Sequence, residues 1–385
     1  MIPYGRQDID EDDIAAVVAV LRSDFLTQGP AVPAFEAALA ARVGAGHAVA
    51  VNSATSALHV ACLALGLGPG GRLWTVPNTF VASANVGLLC GAEVDFVDIE
   101  PRGYCMCPDA LEAKLAVAER EGRLPDVLIP VHFAGQSADM GRIGALARRH
   151  GIRVIEDASH AVGATHAGRP VGACAESDIA VFSFHPVKIV TTAEGGAATT
   201  QDAELARRMG LFRSHGITRD AAHMQAPDTG GWWYEQHALG LNYRMTELQA
   251  ALGSAQLARL DAFLDRRHAL ARRYDALLAD LPVGRPWQDP AGRSALHLYP
   301  VQVAHRRAVF DHLRAAGIGV QVHYIPVHLQ PFWAARGHAR GDFPVSEAYY
   351  DRTLSLPLHP RLTEAEQDRV VAVLAEALAR AGAAG

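Results

Sequence analysis

Lysine and arginine together number 35 in this chain, yet only Lys114 and Lys188 are lysines. The distinction is chemical. An arginine stays protonated at any workable pH, whereas a lysine amine can lose its proton and attack a carbonyl to form a Schiff base. Lys188 sits in F-S-F-H-P-V-K-I-V-T-T-A-E-G-G, Phe182 to Gly196. Val181 to Phe184 read as the end of an apolar strand, and Thr191, Thr192 and the Gly195-Gly196 pair mark a turn soon after. An amine held there is partly desolvated, which lowers its pKa. Lys114 lies in P-D-A-L-E-A-K-L-A-V-A-E-R-E-G, an amphipathic helix pattern with acidic neighbours, and reads as a solvated surface residue. The motif around Lys188 also suits an incidental loop lysine, so the other segments have to decide.

Two of them carry the partners such a lysine needs. Asn52 to His59, N-S-A-T-S-A-L-H, follows an apolar strand and opens a helix. A helix N-terminus offers unpaired N–H groups and a positive dipole end, and Thr55 and Ser56 add hydroxyl donors for an anion. Ordinary capping by Ser53 or Thr55 explains the same letters. Arg153 to His160, R-V-I-E-D-A-S-H, ends a buried strand on Asp157, a carboxylate that is costly to desolvate without a cation or donors. An amine for an aldehyde, an acid for a pyridine nitrogen and a phosphate cradle are what pyridoxal phosphate requires. Ser183 could join Thr55 and Ser56 in the cradle, and Phe80, after Pro77, could cover the ring. Taken singly, Asp157 could be a helix cap, Phe80 a core residue and Ser183 a strand hydroxyl. Jointly they fit one cofactor.

The elements that must place these residues follow from periodicity. Ile9–Arg22 reads as an amphipathic helix with Asp8 as its cap, and a second helix runs through Phe35 and Leu39. Apolar runs at 48–51, 73–76, 94–99, 127–131, 153–155 and 179–182 have strand character. Helical patterns at 56–65, 81–90, 110–121 and 140–150 separate the first five. This alternation predicts βαβ units, a mostly parallel sheet, and functional groups at the carboxyl ends of its strands. Gly66-x-Gly68-x-x-Gly71 spells a dinucleotide fingerprint, but it ends a helix and precedes a strand, so it reads as a cap and turn. Met245–Leu281 reads as a long helical stretch, broken near Ala262. A shorter β/α region follows, with strands near 296–303 and 319–324, helices at 309–316 and 364–379, and a loop-rich span from Pro326 to Pro360. The expected division is residues 1–255 for the large unit and 256–385 for the small one.

Composition narrows the class. At 385 residues with half of them apolar and a fifth charged, the chain reads as an ordinary globular protein of more than one core. Net charge is -6 with no basic, aromatic-laced cluster, which argues against nucleic acid. No uncharged run approaches a membrane span, and the acidic N-terminus lacks an apolar signal core. Five cysteines without C-x-x-C spacing suggest reduced thiols in the cytoplasm. H-E-x-x-H is absent and the histidines are scattered, so no metal site is expected.

N-S-A-T-S-A-L-H, P-N-T-F-V-A-S-A-N, V-I-E-D-A-S-H-A-V-G-A, F-S-F-H-P-V-K with T-T-A-E-G-G, and G-L-N-Y-R-M-T-E occur in order over nearly the whole chain. Together they resemble the motifs of the DegT/StrS-type sugar aminotransferases. Within that family, F-S-F-H-P-V-K, S-H-G-I-T-R-D and V-H-Y-I-P-V-H-L-Q-P are most similar to the pseudaminic-acid branch. The resemblance implies a type I, aspartate-aminotransferase-like fold and a homodimer with active sites at the interface. It implies that Lys188 carries the cofactor, Asp157 pairs with the pyridine nitrogen, His160 lines the ring near its phenolic oxygen and Phe80 stacks on it. Thr55, Ser56 and Ser183 match phosphate-binding positions, and Asn242 matches an asparagine reaching in from the other subunit. Gln28, His185, Arg244, His323 and Tyr324 become candidate substrate contacts, Arg244 because a diphosphate suits a guanidinium. The implied reaction moves an amino group from L-glutamate to C4 of a UDP-linked 4-keto-6-deoxy-N-acetylhexosamine. Other 3- or 4-keto sugars remain alternatives, as do a sugar dehydratase and a non-catalytic regulator on the same fold. Dehydratase relatives carry histidine at the lysine position. Ala193 departs from the family pattern, where glycine commonly precedes E-G-G.

Overall fold

The computed structural model describes residues 1–226 and 230–383. Two helices lead in, α1 (Glu11–Leu21) and α2 (Ala31–Val43). Seven strands then build the central sheet: β1 (His47–Val51), β2 (Arg72–Thr75), β3 (Glu93–Phe96), β4 (Val127–Ile129), β5 (Arg153–Asp157), β6 (Ile179–Ser183) and β7 (Gly196–Thr200). Helices α3 (Ala54–Ala64), α4 (Ala82–Leu89), α5 (Pro108–Glu121) and α6 (Met140–Arg149) connect the first five strands. The spatial order is β1-β7-β6-β5-β4-β2-β3. β7 runs antiparallel to both neighbours, and the pairs from β6 through β3 are parallel. The result is an α/β fold with a mostly parallel sheet, as the alternating pattern predicts.

Strand alternation sorts the two faces. Val49, Val51, Ile155, Ile179 and Val181 pack in one core with Ala57, Leu58 and Ala61 of α3. Ala50, Phe182 and Phe184 pack on the opposite side with Phe35 and Leu39 of α2. Because the pleat has period two, Asp157 and Ser183 fall on the α3 face, two residues beyond Ile155 and Val181. That parity puts both polar side chains on the face of the sheet that α3 and α4 cover, with Asp157 reaching Ser83 of α4. Burying Phe182 and Phe184 completely, at about 1.5–3 kcal/mol each, fixes the register that does so.

Beyond the sheet, α7 (Ala203–Arg213) precedes a two-residue ribbon pairing Ile217–Thr218 with Glu235–Gln236. Helices α8 (Glu247–Ala258) and α9 (Leu260–Leu277) follow. The C-terminal elements are β8 (Tyr299–Gln302), α10 (Arg306–Ala315), α11 (Pro331–Ala334), α12 (Pro344–Arg352), β9 (Thr353–Leu356) and α13 (Glu364–Ala383). α9 spans two cores: Leu260, Phe263 and Leu264 join the one under α2, while Leu270, Ala271 and Tyr274 join the C-terminal one. Ile2 packs in that same C-terminal core, so the chain's start and end are folded together. Among the described residues no helix is long and apolar enough to cross a membrane.

Several local expectations are corrected. Gly196–Thr200 is a fully buried strand, not the sequel of a turn; Gly-Ala-Ala-Thr-Thr is too weakly apolar to show it. The cap of α1 is Asp10, whose Oδ1 accepts from the amides of Asp12 and Asp13, while Asp8 sits two residues earlier. The long helical stretch breaks at Arg259, not near Ala262. Residues 319–324 make only an isolated bridge, Gln321 to Ser355, and the proline-rich span holds α11, α12 and β9. Lys114 is not a solvated surface residue. Its amine lies 2.6 Å from Asp95 and donates to the Phe96 carbonyl at 2.5 Å, tying α5 to β3.

Candidate active site

β5 and β6 pair in parallel with Asp157 opposite Val181, which brings the carboxylate beside the strand that leads to the lysine. After Ser183 the chain forms a closed loop. Phe184 N–H donates to the Gly195 carbonyl at 2.9 Å, Thr192 N–H returns to the Phe184 carbonyl at 2.9 Å, and Lys188 N–H closes onto His185 at 2.9 Å. Buried Ile189 and Val190 anchor it from below. Ala193 adopts φ 66°, the left-handed conformation that glycine takes without strain, and its N–H is held by Thr191 Oγ1 at 3.0 Å.

This loop edges a cavity of about 410 Å³ lined by Thr55, Phe80, Asp157, His160, Ser183, His185, Lys188, His323 and Tyr324, with Tyr4, Thr79, Ser83 and Glu194 among its further walls. Burial lowers the Lys188 amine to about 8, and the Asp157 charge works in the opposite direction. The Lys188 Nζ makes no hydrogen bond to another described residue. Asp157 is held in one orientation: Oδ2 accepts from Ser83 Oγ at 2.7 Å and Oδ1 from the Ser159 amide at 3.1 Å. Ser83 is steadied in turn by Thr79 Oγ1 at 2.9 Å.

The anion end is built on α3. Ser53 caps the helix by accepting from the Ser56 amide at 3.1 Å, while the amides of Ala54 and Thr55 lack intrahelical partners by helix geometry. Gly196 is what lets this terminus descend onto the sheet, since a Cβ there would lie 2.5 Å from both Ala54 N and Ser53 C. Thr55 and Ser183 face the cavity, but Ser56 does not. Its hydroxyl turns to Asn52 Oδ1 at 2.6 Å and to Ser53 Oγ at 3.0 Å.

At the other end, His160 Nδ1 accepts the Ala134 amide at 3.3 Å and Nε2 meets the Tyr324 hydroxyl at 3.1 Å. Burial and the nearby Lys188 hold His160 well below the ordinary histidine range. His323 is lowered to about 3 by the same two causes, and its Nδ1 contacts Ser355 Oγ at 2.9 Å. Burial pushes Tyr324 up. Phe80 is 60% exposed over the cavity mouth, its ring 6.4 Å from that of Tyr324.

Besides Ser56, three expected residues lie outside this cavity. Exposed Gln28 has φ 55°, Asn242 is exposed on a bridge to Ser214, and Arg244 bridges to Val51. The G-L-N-Y-R segment still runs beside the rim, for the Asn52 amide donates to the Tyr243 carbonyl at 2.8 Å. Sequence reasoning missed Tyr4, which the N-terminal segment carries in beside the His323 ring at 5.4 Å. It missed Ser83 too, although Ser83 follows Phe80 by one helical turn and that spacing could have raised it.

The donor set fits pyridoxal phosphate: a free amine, a fixed carboxylate, a hydroxyl-bearing helix N-terminus and an aromatic cover converge on one volume. The comparisons agree. The model of the DegT/DnrJ/EryC1/StrS aminotransferase family matches residues 7–375. The spore coat polysaccharide biosynthesis protein SpsC of Bacillus subtilis is 40% identical, over 96% of this chain and 95% of its own. Spr1654 of Streptococcus pneumoniae, solved in a PMP form, superposes with a TM-score of 0.92 at 30% identity, covering 99% of this chain and 100% of its own. Helicobacter pylori PseC, an aminotransferase in the biosynthesis of pseudaminic acid, gives a TM-score of 0.88 at 30% identity over 98% and 99%. The chain thus belongs to the DegT/DnrJ/EryC1/StrS family and is a pyridoxal-phosphate-dependent sugar aminotransferase of the type I fold.

Proposed function

We propose that this aminotransferase moves the amino group of L-glutamate to C4 of a UDP-linked 4-keto-6-deoxy-N-acetylhexosamine, in pseudaminic acid biosynthesis. The observation that carries the transamination is the single cavity in which a desolvated, unpartnered amine meets an oriented carboxylate and a helix N-terminus. The likeness to PseC, an aminotransferase in the biosynthesis of pseudaminic acid, supports the choice of sugar.

When bound at this rim, pyridoxal phosphate supplies the electron sink that acidifies the C–H bond beside the amino nitrogen. Lys188 is its attachment point and then the proton carrier. Nζ takes a proton from the α carbon of glutamate in the first half-reaction and delivers one to C4 of the sugar in the second. Asp157, fixed by Ser83 and Ser159, would accept from the pyridine nitrogen. His160 and Tyr324 would border the phenolic oxygen, and Phe80 would cover the ring. Thr55 and Ser183 would hold the phosphate with their hydroxyls, which Ser56 could join only by leaving Asn52. Asn242 of a second copy completes the cradle, so the working unit is a homodimer with shared sites. Within the cavity His185, His323 and Tyr324 contact the two substrates; Gln28 and Arg244, which lie outside it, are the remaining candidates. We place the enzyme in the cytoplasm and assign residues 1–255 to the large unit and 256–385 to the small one.

A second reading has its own support. SpsC, at 40% identity, belongs to spore coat polysaccharide synthesis, which favours another nucleotide keto-sugar destined for a surface glycan. The deciding experiment feeds the enzyme glutamate and the product of a C5-inverting 4,6-dehydratase, beside other UDP- and dTDP-linked keto-sugars, and identifies each amine by NMR. Amination at C4 of the inverted sugar supports the first reading. Turnover confined to a different sugar refutes it and leaves the family membership intact.

A further inference from the structure

We propose that His297, fastened by Arg267, is a positioning residue that sets which hydrogen-bonding face His160 and Tyr324 turn toward the cavity; the functional consequence rests on the reading of that cavity as the cofactor site.

Arg267 on α9 is 1% exposed. Its Nη1 donates to the carbonyls of Leu296 at 3.2 Å, His297 at 3.3 Å and Leu358 at 3.1 Å. Among the described residues no carboxylate pairs with it, and its Nε has no partner. A buried cation without an acid is costly, so what it secures has to be sought in the backbone it grips. That backbone is tightly constrained. Leu296 has φ 49°, and Gly135 packs beneath it so closely that a Cβ there would lie 2.7 Å from Leu296 N and 2.9 Å from His297 N. The Ala295 amide donates to the Gly135 carbonyl at 2.9 Å. The next residue back, Ala134, is the one whose amide holds His160 Nδ1. Arg267, the 295–298 segment, the 133–136 turn and His160 therefore form one continuous stack.

His297 closes it. The side chain is 4% exposed, its ring centroid lies 4.4 Å from that of His160, and its Nδ1 has no partner. A leucine would fill this space without leaving a buried nitrogen unsatisfied. The imidazole does something a leucine cannot: it presents a polar ring of matching shape to His160 in a place where burial disfavours charge on either ring. Protonation of His160 Nδ1 would set an N–H against the Ala134 N–H. The groups that face the pair are Lys188, His323 and, from α9, Arg267. The acid at this end of the cavity is Asp157, whose oxygens are committed to Ser83 and Ser159. Neutral His160 with Nδ1 accepting must carry its proton on Nε2, which points at the Tyr324 oxygen. Tyr324 then accepts there and keeps its own proton to donate into the cavity. The face is fixed across the pH range in which Lys188 titrates.

The test uses full-length His297→Leu, with histidines labelled at ¹³Cε1 and followed by NMR in cofactor-free protein, His160 being assigned by loss of its signal in His160→Gln. The expected result is a folded variant in which His160 exchanges its single tautomer for a mixture of the two. In the loaded enzyme, kcat should fall about tenfold with little change in KM. Arg267→Met should mix the His160 tautomers in the same way; if that variant fails to fold, His297→Leu decides alone. An unchanged His160 tautomer in His297→Leu overturns the proposal, even if stability or kcat drops. A wild-type protein that takes up no cofactor while the His160 tautomers mix in the variant refutes the cofactor reading and leaves the positioning role standing.

Discussion

Two lysines in the same chain have amines lowered by burial, each with an aspartate nearby, and only one of them is placed to react. Lys114 sits at the open edge of the sheet, 2.6 Å from Asp95 and 4.8 Å above the Trp74 ring, with a further bond to the Phe96 carbonyl. Its charge is spent on holding α5 against β3. Lys188 stands at the carboxyl rim, where Asp157 acts on it through space while giving its own oxygens to Ser83 and Ser159. Burial makes an amine easier to deprotonate. Only the absence of a local partner leaves it free to bond to something else.

The sharpest way to break this contrast is to exchange each lysine. Lys188→Arg should reduce turnover by at least about a thousandfold and erase the visible absorbance of the loaded enzyme, because a guanidinium cannot become the nucleophile. Lys114→Arg should stay within about twofold of the parent in steady-state assays. Exchanging the acids comes next. Asp157→Asn should cost on the order of a hundredfold or more in kcat, whereas Asp95→Asn should leave kcat alone and lower Tm by a few degrees. Equal losses in the two acid variants would erase the distinction.

The buried amine also predicts a pH-dependent stability. Lys188 titrates near 8 in the folded, cofactor-free protein and near its ordinary 10.5 when unfolded. The unfolded chain binds more protons between those values, so stability rises with pH through that window and the full penalty applies below 8. Lys188→Met should therefore stabilise cofactor-free protein at pH 7 by on the order of 1–3 kcal/mol, with the advantage shrinking above pH 8 in urea titrations. The smallest effect belongs to the loop itself. Ala193→Gly, at φ 66°, should raise stability by about 1 kcal/mol with unchanged kcat.

What the residues revealed in advance was what local pattern encodes. Apolar runs with period two gave the parallel strands, and their ends named Asp157, Ser183 and Lys188. β7 escaped because its burial comes from neighbours on both sides, not from its own Gly-Ala-Ala-Thr-Thr. Ser56 was legible as a hydroxyl in the right motif, but the choice between cavity and Asn52 is made by a side-chain torsion that spacing does not report. Tyr4 and His297 come from opposite ends of the chain, 184 and 109 residues from Lys188, and only the packed C-terminal core brings them to the site. Lys114 was misjudged for a related reason: its helix looked amphipathic, and the acid that buries its charge lies on a different element.

A chain with two lysines permits a binary measurement. Borohydride reduction of the loaded enzyme, followed by protease digestion and peptide mass mapping, should place the pyridoxyl adduct on the peptide containing Lys188 and leave the Lys114 peptide unmodified. An adduct on Lys114, or no adduct on either, would contradict the assignment of Lys188 as the residue around which this site is built.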